Sequence, residues 1–102
     1  MQLDKKKVAQ AFRDAFSENG KAVAQVIEFH LKNAYGIDPE DILEEPEKVS
    51  KAIAEIYGVY AGQMESRLCF YLSEYLNLGY DGNSLKKLVK YIERKQEFES
   101  VK

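Results

Sequence analysis

The stretch YGVYAGQMESRLCFYLSEYLNL, from Tyr57 to Leu78, decides how the rest of this chain has to pack. Turning about 100° per residue from Met64 places Tyr60, Ala61, Met64, Leu68, Tyr71, Leu72, Tyr75 and Leu78 on one face, which is the pattern of a helix with a side to cover. The opposite side is not cleanly polar, because Cys69, Phe70 and Leu76 interrupt Gln63, Ser66, Ser73 and Asn77. A helix apolar on more than one side is usually central or paired. A strand over Leu68 to Leu72 is the competing reading, but the helical period continues through both ends of that run. The expectation is an all-α bundle of about five helices arranged around Tyr60 to Leu78.

Working outward toward the N-terminus, Gly58 is a weak point in the periodic pattern and predicts a break or bend. Before it, Val49, Ala52, Ile53, Ile56 and Tyr57 make the inward stripe of a helix that Pro46 can open but could not continue from an earlier one. Ile37-Asp38-Pro39-Glu40-Asp41 predicts a short helix with Asp38 as its cap and Pro39 at its first position. Val23, Val26, Ile27, His30, Leu31 and Ala34 share a face of the preceding helix, with Phe29 on its flank. Gly20 separates that helix from a first one, capped by Asp4 and carrying Val8, Ala11, Phe12, Ala15 and Phe16. Toward the C-terminus, Tyr80 to Ser84 is a turn, with Asn83 or Ser84 placed to cap a last helix. Leu85, Leu88, Val89 and Ile92 form its inward stripe. Tyr91, Phe98 and Val101 make a thinner second stripe, and residues 85–102 read as a helix whose end frays or docks.

Composition bounds the function. The 102 residues are 45% hydrophobic and 31% charged, which suits one domain over residues 1–102 with a single core. Neither an apolar run of membrane-spanning length nor a leader pattern is present, so a soluble, cytoplasmic protein is expected. Cys69 is the only cysteine, which excludes an intrachain disulfide or a cysteine-based zinc site. A net charge of −2 disfavours general nucleic-acid binding, which needs a basic surface.

Candidate chemistry is sparse. His30 is the only histidine, and it falls on an apolar helix face with no visible acid-base or metal-binding partner, so a structural role is expected. Cys69 reads as a small buried hydrophobe. The acids Asp38, Glu40, Asp41, Glu44, Glu45 and Glu47 lack calcium-loop spacing and read as helix starts on a solvated face. No glycine-rich phosphate loop occurs, and no catalytic residue, metal or cofactor is expected. Tyrosine stands out, with seven residues against no tryptophan, and it suits a core edge, a partner surface or a pocket. Phe70, Tyr91 and Phe98 are the candidate partner-binding residues, because one helix face cannot bury them together with the main stripe. They point to a protein partner or to self-association as a homodimer. A small apolar ligand in a pocket lined by His30, Tyr60, Met64, Tyr71 and Tyr75 is the alternative.

Gly20, Leu31, Tyr35-Gly36-Ile37, Asp41-Ile42, Pro46 and Ile56-Tyr57-Gly58 together make a pattern that resembles a small all-helical archaeal family. It is described as a predicted output domain of signalling systems, the Nitrosopumilus output-domain type. The resemblance spans residues 20–72, about the middle half of the chain. It implies a helical fold and a cytoplasmic interaction or sensory role, and it supplies no catalytic residue. The matching positions all read as caps, turns and core, and no receiver or sensor domain accompanies them in this sequence.

Overall fold

Asp4 starts the first helix by accepting hydrogen bonds from the backbone N–H groups of Lys6 and Lys7 at 3.0 and 3.3 Å. The computed structural model describes residues 3–101, with side chains described through residue 96. Five α-helices follow in order: α1 (Lys5–Ser17), α2 (Lys21–His30), α3 (Pro46–Tyr57), α4 (Ala61–Tyr75) and α5 (Leu85–Val101). Among the described residues there is no strand, and the fold is all-α. None of the described helices is long and apolar enough to cross a membrane.

Helix α4 takes the central place expected of it, packing against α1, α3 and α5. Its partnership with α1 is antiparallel. Tyr75 reaches Asp14 at 2.5 Å, Arg67 reaches the carbonyl of Ala15 at 3.5 Å, and Asn19 meets the Met64 sulfur at 4.0 Å. One core draws side chains from all five helices, including Phe12 and Phe16 of α1, Ile27 of α2, Ile53 of α3, Leu68 and Leu72 of α4, and Leu88 of α5.

The buried side of α4 consists of Met64, Leu68, Cys69, Leu72 and Ser73. That sector is rotated from the expected one, so Cys69 and Ser73 enter the core while Tyr71 and Tyr75 sit half-buried at its edge. Tyr60, expected to face inward, is 62% exposed. The cause lies in the backbone. Gly58 ends α3 at φ 56°, ψ −120°, and Gly58–Tyr60 forms a 3-10 turn, so Tyr60 does not share the helical phase that begins at Ala61.

Helix α2 is likewise rotated. Ala24, Ile27 and Leu31 are buried, whereas Val26 and Ala34, expected inside, are exposed. Apolar residues lie nearly all round this helix, so its own pattern does not choose a sector. Contacts with both α1 and α3 choose it. Ile56 near the end of α3 is also left open.

Helix α5 is capped twice. The Ser84 hydroxyl accepts from the Lys87 N–H at 3.3 Å, as its position predicts, and Glu65 from α4 accepts from the Leu85 N–H at 2.8 Å. Leu85, Leu88 and Ile92 are buried.

Candidate functional site

His30 closes α2, and the chain continues into a single π-type turn, Leu31–Tyr35, before Gly36 stops it in the left-handed region at φ 68°. In α geometry, residues five apart point about 140° away from each other. The wider π turn brings residue i+5 back over residue i. His30 and Tyr35 therefore meet the same carboxylate oxygen, Glu55 Oε1, at 2.9 and 2.7 Å, with their rings edge-on at 6.0 Å. The expectation that His30 has no partner is corrected here. Glu55 lies on a different helix, twenty-five residues further on, where helical spacing could not reveal it.

The Tyr35 hydroxyl, and after it the His30 imidazole, hold the Glu55 carboxyl below the usual carboxylate range. The same hydrogen bond raises the Tyr35 phenol. Carboxylate-oriented histidine is one component of acid-base machinery, but here the carboxylate is the hub. It ties the end of α2 to the end of α3 on an open part of the surface.

A second polar seam joins α1 to α4. Tyr71 donates to Glu18, Tyr75 donates to Asp14, and Arg67 lies 3.8 Å from Glu18. Hydrogen bonding to Asp14, followed by burial and the Asp14 charge, pushes the Tyr75 phenol up to about 12. Burial, with Glu65 nearby, pushes the Cys69 thiol up to about 12. No group of three or more His, Cys, Asp or Glu side chains suited to a metal ion occurs among the described residues.

The five residues named for an apolar pocket are not brought together around one cavity. His30 pairs with Glu55, Tyr60 is exposed, Met64 is in the core, and Tyr71 and Tyr75 belong to the α1–α4 seam. A cleft of about 650 Å³ lies between α1 and α2, bordered by Arg13, Asp14, Lys21, Glu28 and Phe29, and it includes none of the five.

The partner-binding candidates also separate. Phe70 is 61% exposed, as expected, with its ring edge-on to Tyr71 at 6.0 Å. Tyr91 is not a free surface aromatic. Its hydroxyl donates to the Leu78 carbonyl at 2.8 Å and its ring packs on Tyr80 at 5.5 Å, because the turn after α4 folds back over α5. The Phe98 side chain lies outside the described residues.

More large apolar side chains are exposed elsewhere. Val59 is 93% exposed and Phe29 69%, and with them Val26, Ile56 and Tyr60 are open. Two contacts give the relative direction of the segments that carry them. Asn19 meets Met64 and His30 meets Glu55, so α2 runs antiparallel to the segment from Glu55 to Met64. Val26 stands one turn before His30, while Ile56 and Val59 stand one residue and about one turn beyond Glu55. Val26 and Phe29 thus lie on α2, Phe29 bordering its cleft with α1, while Ile56, Val59 and Tyr60 lie at the α3–α4 junction beyond Glu55, the residue through which His30 and Tyr35 tie α2 to α3. Sequence reasoning placed Val26, Ile56 and Tyr60 in the core. For Val26 the available signal was the surplus of apolar positions on α2 over what one face can hold, and for Ile56 and Tyr60 it was their place beside the Gly58 break.

The fold is similar to the crystal structure of PH0832 from Pyrococcus horikoshii OT3, with a TM-score of 0.74 at 23% sequence identity, over 91% of this chain and 96% of that one. At that identity the match concerns the fold. Curated proteins gave no match. A family model described as Nitrosopumilus output domain 5 matches residues 2–94, well beyond the segment on which the sequence resemblance rested. By that match over most of its length, the chain belongs to the Nitrosopumilus output domain 5 family.

Proposed function

We propose that this domain is a non-enzymatic, cytoplasmic output module that works by protein–protein contact through the surface of Val26, Phe29, Ile56, Val59 and Tyr60. The observation that carries the reading is the exposure of these five large apolar side chains on adjoining elements. Single exposed apolar residues are ordinary, whereas clustered ones mark contact surfaces. Membership in a family described as an output domain supports the same reading. The hydrogen bonds of His30 and Tyr35 to Glu55 join α2 to α3, two of the elements that carry these side chains.

The test places a photo-crosslinking phenylalanine analogue at Val59 and, as a control, at Glu93, which is exposed on the polar side of α5. After irradiation in the native host, position 59 is expected to yield defined protein adducts, identified by mass spectrometry, that position 93 does not. Equal adduct patterns from the two positions would contradict the proposal.

A further inference from the structure

We infer that the outward face of α5 is a separate contact surface, one that takes an acidic segment of a partner protein. It lies on a different element from the apolar side chains named above and rests on charge. Residues 85–96 carry five cations, Lys86, Lys87, Lys90, Arg94 and Lys95, against the single carboxylate of Glu93, in a chain whose net charge is −2. Two of the five are used within the molecule: Lys86 reaches Glu47 at 2.9 Å and Lys95 reaches the Leu78 carbonyl at 3.2 Å. Lys87, Lys90 and Arg94 are exposed, and none of them is in an ion pair among the described residues. At about 100° per residue these three fall within about 60° of one another, a basic stripe on the side turned away from the core.

Local electrostatics work against this arrangement. Lys90 and Arg94 stand one turn apart, as do Lys86 and Lys90, and like charges at that spacing weaken a helix. Lys87 is in the first turn of α5, which holds no acid and where the backbone dipole disfavours a cation. An anionic partner offsets what the helix itself does not. The surroundings select its class. Leu85, Leu88 and Ile92 are buried in the core, so their stripe cannot sink into a bilayer, as a membrane-surface helix requires. Glu44, Glu45, Glu47 and Glu93 border one side of the stripe, around a groove shared with Lys86 and Lys90, and would repel the phosphates of a nucleic acid laid across it. A narrow acidic segment running along Lys87, Lys90 and Arg94 avoids them. The three span about 10 Å of helix, or two turns, which fits carboxylates repeating about once per turn on the partner.

Fluorescence anisotropy with a fluorescein-labelled peptide of repeated Ala-Glu-Glu-Ala tests this at about 20 mM and about 0.2 M salt, between which the screening length falls about threefold. The wild type is expected to bind at low salt, to lose most of that binding at high salt, and to ignore a peptide of repeated Ala-Gln-Gln-Ala. Replacing Lys87, Lys90 and Arg94 together with Gln should weaken binding at least about tenfold, as loss of three exposed ion pairs does. The triple variant Lys6→Gln, Lys7→Gln, Lys51→Gln removes as many exposed cations from α1 and α3 and should bind as the wild type does. Thermal melting followed by circular dichroism should put the α5 variant at or above the wild type, because the substitutions relieve like-charged neighbours. No binding by the wild type at low salt overturns the inference, and so does equal weakening by the two triple variants. A lower melting temperature for the α5 variant would tie its cations to the fold instead. Tighter binding to single-stranded oligothymidylate, or to vesicles containing phosphatidylserine, than to the acidic peptide overturns the assignment to an acidic protein segment.

Discussion

Tyr75 joins α1 and α4 through Asp14, and that bond makes its phenol a reporter of folding. The folded phenol is raised from 10.0 to about 12, so the protonated form is favoured in the native state. Its stabilisation is fully present below the unfolded value and is lost as pH rises from about 10 to about 12, because the unfolded tyrosine ionises first. Tyr75→Phe should flatten that alkaline loss, read as urea unfolding midpoints at stepped pH. An unchanged slope would assign the loss to other groups. Cys69 is fully buried with its thiol pushed up to about 12, so a disulfide reagent should modify it only as fast as the protein opens. Modification at the rate of a free thiol under native conditions would refute this placement. His30→Gln keeps a donor for the exposed Glu55 carboxylate, so melting temperature and Val59 adduct yield should both stay near wild type. Loss of adducts with melting unchanged would give His30 a direct role in contact.

At the scale of elements, the break between α3 and α4 rests on Gly58. Its φ of 56° and ψ of −120° lie where side chains other than glycine are strained, and a Cβ built there meets nothing within 4 Å. Gly58→Ala should therefore cost about 1–3 kcal/mol from the backbone alone. Urea denaturation measures it, and a gain in stability would mean that the two helices can merge. The break was legible in the sequence because glycine interrupts an otherwise continuous period. Its effect on Tyr60 was not, since a 3-10 turn changes the helical phase without leaving a sequence pattern of its own. The π turn after His30 escaped for the same reason.

For the molecule as a whole, the shared core predicts one cooperative unit. Leu68 of α4 and Leu88 of α5 are both fully buried in the same cluster, so truncating either to alanine should cost about 2–5 kcal/mol. Each variant should still unfold in a single transition, with calorimetric and van't Hoff enthalpies equal. Separate melting of α5 would show that it docks on a core complete without it. The Cα radius of gyration of 13.2 Å agrees with a compact domain of this length, about 13 Å for 100 residues.

The sequence by itself determined the helices, their caps and most of the core, because capping and amphipathic spacing are local. Asp4, Gly20, Pro46 and Ser84 mark boundaries by their own backbone and side-chain chemistry, and Phe12, Ile53, Leu68 and Leu88 stand at spacings that one buried face explains. Only the tertiary structure decided which sector of α2 and α4 is buried. Both helices carry more apolar positions than one face can hold, so the choice belongs to the neighbouring helices. That choice turned Val26 outward, put Cys69 and Ser73 inside, and gave His30 its partner in Glu55, while the 3-10 turn at Gly58 took Tyr60 out of the helical phase. The candidate contact surface is the remainder of that packing, and for that reason it could be found only after the helices had been assembled.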